Sequence, residues 1–326
     1  TIMVASVGPV SSSWDRAIEL YYQLKGGRID YGKYHSEKYG LIQKPLEKDY
    51  KGLYPQWSEK NPLHFIGHSM GGQTIRMLDY LLNNVIQDSL GTLEKSKLLG
   101  KPNKGWIKSI TTLSTPHDGT TISDFINAGI PFLQNFIALA GVAGNSFYDF
   151  DLEQWGFKRF KEESWINYFK RMKQHSIWDS KNTVAWDSSI EGAKEINSLC
   201  VANPDVYYFS ITNYKTKIDE DSGYHKPMKG MSNILKVQAR LMGRKKAYYS
   251  DGTSTDSTWY LNDGVVNTVS MLGPTTGSSG PDPITEFRQG DLVIPGQWYV
   301  MGNYELFFFF FFFYQMRKYE YSSLKK

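Results

Sequence analysis

A mostly parallel α/β sheet in one domain is the architecture these 326 residues specify, and three observations point to it. An apolar run, Leu63-His64-Phe65-Ile66, meets Gly67-His68-Ser69-Met70-Gly71 and passes directly into a stretch with helical periodicity. Strand-like runs recur at 107–113 and 206–211, separated by polar and helix-compatible segments. No internal repeat interrupts this alternation, which is the pattern of strands and helices wound into a single sheet.

The elements follow in order. Residues 2–7, Ile-Met-Val-Ala-Ser-Val, are expected as a strand. A helix is expected over 11–24, with Ser11, Ser12 and Ser13 all able to cap it, Asp15 and Arg16 in its first turns, and Gly26-Gly27 ending it. The stretch 29–57, rich in Tyr, Gly, Lys and Pro, is expected to be a long ordered loop. Residues 63–66 form the strand before the turn, and 73–83 carry Ile75, Leu78, Leu81 and Leu82 as one helical stripe. The polar stretch 91–105 is expected on the surface, and the strand at 107–113 stops at Ser114-Thr115-Pro116-His117-Asp118-Gly119. The apolar segment 122–141, broken by Gly129 and Pro131, fits either a buried helix pair or a mobile amphipathic cover. Cys200, within 196–201, is expected on a buried helix face.

The turn at Ser69 is the chemical centre of this pattern. A Gly-x-Ser-x-Gly between a strand and a helix forces a strained bend that lifts the serine hydroxyl clear of the sheet. Gly67 and Gly71 are expected where the backbones of strand and helix pass too closely for a Cβ. The helix N-terminus behind Ser69 favours developing negative charge.

Composition limits the alternatives. Apolar residues make up 40% of the chain, and the mean hydropathy of −0.44 suits a core-forming globular protein. The net charge of +4 is small, and no basic stripe suggests nucleic acid, so Arg244-Lys245-Lys246 is read as a solvated loop. One cysteine excludes an internal disulfide. The chain opens at Thr1 without a signal-peptide pattern, and seven phenylalanines run from Phe307 to Phe313. That run is too short to span a bilayer and suits neither a core nor a surface. The organisation expected is therefore one domain over 1–306, followed by an aberrant tail at 307–326 that resembles frame-shifted or non-coding sequence.

Several segments resemble one family. They are Val7-Gly8-Pro9-Val10-Ser11-Ser12-Ser13-Trp14-Asp15-Arg16-Ala17, Ile29-Asp30-Tyr31-Gly32, Gly67 to Thr74, and Thr115-Pro116-His117-Asp118-Gly119-Thr120-Thr121. Asp151-Leu152-Glu153-Gln154-Trp155-Gly156-Phe157 and Asn262-Asp263-Gly264-Val265-Val266-Asn267-Thr268-Val269-Ser270-Met271 continue the likeness. Together they are similar to the secreted triacylglycerol lipases of staphylococci and thermophilic bacilli. The resemblance implies an α/β-hydrolase fold with flanking helices and a helical lid, here at about 118–145. It also implies secretion and action on lipid or at a lipid–water interface; separately, a monomer with no transmembrane segment is expected. By the same resemblance Ser69 is the nucleophile, Asp263 the triad acid and the Met70 N–H one oxyanion donor.

The chain also departs from that family, so the fold is expected to lack the N-terminal strand or strands and the C-terminal segment that bears the catalytic histidine. Triad order in this fold is serine, acid, histidine. All six histidines (His35, His64, His68, His117, His175 and His225) precede Asp263, and the family's base aligns with Phe308. His117 is expected in a hinge or core role. The second oxyanion donor aligns before Thr1. The family's calcium site would use the Gly230 carbonyl with carboxylates after the missing histidine. Its zinc site would retain only His35, with Leu41 and Asn182 at two other positions and the fourth before Thr1. No metal and no cofactor are therefore expected. The activity expected is that of a carboxylic ester hydrolase nearly silenced by the missing base, a loss on the order of 10⁴ to 10⁶ in kcat. The alternative is a non-catalytic lipid-binding protein.

Overall fold

The computed structural model describes residues 1–123, 153–156, 160–164, 167, 170 and 176–305. Residues 1–8 join no sheet. The strand expected at 2–7 instead lies along the first helix, where the Ser6 N–H donates to Gln23 Oε1 at 3.0 Å and Ala5 and Val7 pack against the core. Alternating apolar residues are present there, but the backbone bonds a side chain rather than a neighbouring strand. Helix α1 (Ser13–Lys25) follows, and Ser12 is its cap: Asp15 N–H donates to Ser12 Oγ at 3.2 Å. Gly26, at φ 84°, ends it as expected.

The long loop expected over 29–57 carries more structure than its composition suggests. Two-residue strands β1 (Gly27–Arg28) and β2 (Asp49–Tyr50) pair antiparallel around helix α2 (Lys33–Tyr39). Strand β3 (Leu63–His68) leads into α3 (Met70–Asn83), and β4 (Ile107–Leu113) falls where the alternation placed it. The excursion at 91–105 is polar but partly interior, because Leu98 and Leu99 are fully buried. Short α4 (Val184–Ser188) and α5 (Ile190–Leu199) precede β5 (Tyr207–Tyr214). A small antiparallel pair, β6 (Thr216–Ile218) and β7 (His225–Pro227), leads to α6 (Asn233–Met242). The sheet closes with β8 (Ile284–Glu286) and β9 (Trp298–Glu305).

Five strands pair in the order β3-β4-β5-β9-β8, all parallel. The register sets Phe65, Ile110, Tyr208 and Trp298 in one row. All four are buried in one core with Ile75, Leu78, Leu81 and Leu82 of α3 and with Ala17 and Ile18 of α1. Burial of each such Leu, Ile or Phe side chain contributes about 1.5–3 kcal/mol. The other face carries Ile66, which stays 67% exposed. The expected lid beyond Ser123, and the tail at 307–326, lie outside the described residues.

Candidate active site

Ser69 stands between β3 and α3 with φ 52° and ψ −131°, a backbone that L-residues seldom adopt. Its surroundings fix that bend. Ser69 N–H donates to the Leu113 carbonyl at 2.8 Å, and the Ser69 carbonyl accepts from Thr115 Oγ1 at 2.8 Å and from Gly72 N–H at 3.1 Å. A serine at a helix start commonly caps its own helix, but the Ser69 side chain makes no capping bond. Met70 begins α3, so its N–H belongs to the first-turn donors that an α-helix leaves without an internal partner.

Glycine is required at two positions here, and only one of them is as expected. A Cβ on Gly67 would lie 2.6 Å from the Gly71 carbonyl carbon and the Gly72 nitrogen, with no room to yield. At Gly71 a Cβ would meet nothing within 4 Å, which corrects the expectation that it too marks a tight approach. The close contact belongs to Gly72, whose Cβ would collide with Thr115 and approach Thr112 Cγ2 at 2.9 Å. The helix leans on β4 at its third residue, while Gly71 faces open space beside the serine.

Asp263 lies in a turn after the 3₁₀ segment Ser257–Tyr260. Its Oδ1 accepts from Val265 N–H at 2.8 Å and from Val266 N–H at 2.7 Å. Burial pushes this carboxyl up to about 6, against the pull of those two backbone donors and of the Asn213 side chain. The preceding Asn262 fastens the turn to the end of the sheet, donating its N–H to Thr216 Oγ1 at 2.9 Å and accepting Lys215 N–H at 2.9 Å on its carbonyl. Farther along, the Thr120 hydroxyl donates to the Val265 carbonyl at 2.7 Å.

Two residues without a sequence signal tie serine and acid to one sheet edge. Ser114, directly after β4, is, among the described residues, the other non-glycine residue at positive φ, at 53°. Its Oγ accepts from Asn213 Nδ2 at 2.8 Å, and its N–H donates to the Ile211 carbonyl at 3.0 Å. Asn213 Oδ1 is buried without a partner. Ser69, Ser114 and Asn213 thus follow or close the carboxyl ends of three adjacent strands, β3, β4 and β5, and the turn that carries Asp263 is bonded just past the third of them, at Lys215 and Thr216. Neither spacing nor residue type sets Asn213 apart in the sequence.

The histidines fall elsewhere. His117 is fully buried, with Nε2 3.0 Å from Thr112 Oγ1, Nδ1 without a partner, and its ring edge-on to Trp298 at 4.6 Å. Burial and the Arg76 charge hold it well below the usual imidazole range. That is the core role expected of it. His64 bonds Ser109 Oγ through Nδ1 at 2.7 Å, and His68 is exposed at the end of β3. His175 and Phe308 lie outside the described residues.

His35 has a buried carboxylate partner. Its Nε2 lies 2.7 Å from Asp15 Oδ1, and Asn182 Nδ2 donates to Asp15 Oδ2 at 3.0 Å. The three do not fit a zinc site: imidazole and carboxylate are spent on each other, and the amide points a donor where a metal needs a lone pair. The Gly230 carbonyl of the implied calcium site belongs to an exposed turn residue at φ 87°. The carboxylates that would complete that site fall outside the described residues. Among the described residues, no group of three or more His, Cys, Asp or Glu is arranged to hold a metal ion.

Sheet, elbow and acid turn together define the class of α/β proteins that present a serine at a strand-to-helix bend. The profile of the "Lipase-like, C-terminal domain" family matches residues 1–280, so the chain belongs to that lipase family. It is 37% identical over 277 residues to Lipase 1 of Staphylococcus aureus strain MRSA252, and 35% identical over 278 residues to Lipase 2 of Staphylococcus aureus. Each match takes in 83% of this chain but only 39% of the relative, so the chain spans well under half the length of these proteins. Among solved structures, EstA from Clostridium botulinum superposes with a TM-score of 0.84 at 40% identity, covering 92% of this chain and 71% of that one. The Staphylococcus hyicus lipase superposes with a TM-score of 0.75 at 35% identity, covering 92% and 75% respectively.

Proposed function

We propose that this chain carries the catalytic architecture of a secreted lipase that hydrolyses acylglycerol esters with Ser69 as nucleophile. The strained Ser69 backbone, at the carboxyl end of the sheet to whose β5 end the Asp263 turn is bonded, carries this reading. Ser69 Oγ attacks the ester carbonyl while an imidazole takes its proton, and the oxyanion meets the Met70 N–H. The alcohol leaves with the proton, and water then cleaves the acyl-serine to the free acid. Asp263 orients the imidazole and stabilises its charged form.

The base is the missing member. The resemblance aligns it with Phe308, and His117 is committed to the core. The 326-residue polypeptide is therefore proposed to turn over esters slowly, by a factor on the order of 10⁴ to 10⁶ below an intact triad. A purely lipid-binding protein would not need a strained serine, and the backbone of Ser69 favours the enzyme reading over that alternative. The test is to compare short-chain p-nitrophenyl ester hydrolysis by the parent, by Phe308→His and by the double variant Ser69→Ala/Phe308→His. Activity gained in Phe308→His and lost again in the double variant supports the assignment. Fast Ser69-dependent turnover by the parent would show that a base is already present, and no Ser69-dependent turnover in any variant would overturn the nucleophile.

A further inference from the structure

Charge is unevenly distributed along this chain. Between 215 and 250 stand nine Lys or Arg against three Asp or Glu, an excess of six positive charges in a protein whose total is +4. Residues 216–246 form one small unit, and 247–250 continue from it onto α5, where Ser250 N–H donates to Glu191. Strand β7 packs on α6, His225 N–H donates to the Gly243 carbonyl at 2.9 Å, and the Tyr224 ring lies 5.8 Å from that of Tyr260. Seven of the nine cations are exposed, among them Arg240, Arg244, Lys245 and Lys246. Lys226 is neutralised locally by Asp219 at 2.5 Å, which still leaves a clear positive excess.

Large apolar side chains are set among these cations. Ile218 is 57% exposed, Tyr224 45%, Val237 62% and Tyr248 68%. On α6 the inward face buries Ala239 and Met242, while Val237 and Arg240 share the outward face, from which the chain continues into Arg244-Lys245-Lys246. Single exposed apolar residues are ordinary, but four of them within one cationic region are not a simple solvated surface. The unit is also bonded to the candidate site. Asn262 Nδ2, one residue before Asp263, donates to the Ala239 carbonyl of α6 at 3.2 Å.

We propose that the region 215–250 is a docking surface for an anionic lipid interface. Its cations meet headgroup phosphates and carboxylates, while Ile218, Tyr224, Val237 and Tyr248 enter the headgroup boundary. The lipid source rests on the lipase reading, but the binding itself needs no catalysis. Docking there places the outer face of α6 on the lipid, with the Asn262 bond on the helix's inward side.

The test is co-sedimentation of the intact chain with phosphatidylcholine vesicles, with and without phosphatidylserine. Binding is expected to require phosphatidylserine and to weaken steeply with added salt. The quadruple variant Arg240→Gln, Arg244→Gln, Lys245→Gln, Lys246→Gln should bind about a hundredfold or more weakly, at roughly a fivefold loss per cation. The control Lys95→Gln, Lys97→Gln, Lys101→Gln, Lys104→Gln removes as much charge from another exposed region and should bind like the parent. Val237→Gln with Tyr248→Ser should weaken binding without changing its salt dependence. The proposal is overturned if the parent binds neutral and anionic vesicles equally, if both quadruple variants lose the same amount, or if the parent binds RNA but neither vesicle. Ser69→Ala should bind vesicles as the parent does, so failure of the catalytic reading leaves this result readable.

Discussion

Ser69 and Ser114 hold nearly the same left-handed φ, 52° and 53°, at the carboxyl ends of the neighbouring strands β3 and β4. Each is held there by its neighbour: Ser69 N–H by the Leu113 carbonyl and Ser114 N–H by the Ile211 carbonyl. Side chains disfavour such backbones by roughly 1–3 kcal/mol, so both strands end in stored strain. Ser69→Gly should therefore be more stable than Ser69→Ala by about 1 kcal/mol or more in urea unfolding. Equal stabilities would mean that the bend is not strained.

The elbow glycines should differ in a way the motif alone does not suggest. Gly67→Ala and Gly72→Ala drive a methyl into backbone or into Thr115, and each should cost about 3 kcal/mol. Gly71→Ala meets open space in a helix and should be neutral or stabilising by up to about 1 kcal/mol. Thermal melts of the three variants check this order, and a Gly71→Ala as damaging as the other two would contradict it.

Asp263 makes stability depend on pH in an unusual direction. Its folded value, about 6, lies above the ordinary carboxyl value of about 3.9. Between those values the unfolded chain has released the proton and the folded one keeps it, so stability falls as pH rises from about 4 through 6. Asp263→Asn keeps an oxygen for the Val265 and Val266 donors and removes the charge. Its stability relative to the parent should improve by about 2–3 kcal/mol between about pH 4 and pH 7. A constant difference across that range would refute the shift.

Lys48 is buried with Glu19, at 2.8 Å, and Tyr31 donates to the same carboxylate at 2.8 Å. Lys48→Met should cost about 3–5 kcal/mol by leaving Glu19 buried without its cation. Adding Glu19→Gln should recover part of that loss. Chemical denaturation of the two single variants and the double variant gives the coupling.

Burial pushes the Cys200 thiol up to about 12. The folded chain should resist thiol reagents at about pH 8, and labelling should track unfolding in denaturant. Fast labelling of the folded chain would contradict the buried placement.

Much of the sheet was legible from local pattern. Alternation over 107–113 marks β4, and the glycine-bounded turn marks the start of α3. Residues 2–7 show the same alternation but join no ladder, because pairing depends on a neighbour that periodicity does not reveal. Strand β9 has no comparable signal: Trp298-Tyr299-Val300-Met301-Gly302 carries a glycine and a register shift opposite Ser210/Ile211. Ser69, Met70 and Asp263 were legible as candidates from motif and resemblance. Asn213 and Ser114 were not, since their importance arises from contacts 99 residues apart in sequence.

The peptide unit between Val265 and Val266 serves two masters. Its carbonyl is gripped by Thr120, and its N–H serves the Asp263 carboxylate. A hydrogen bond at one end of an amide polarises the other. Any displacement of the chain at Thr120 is thus transmitted to a proton's hold on Asp263, so the acid strength of that carboxyl registers the posture of a segment more than 140 residues away in sequence.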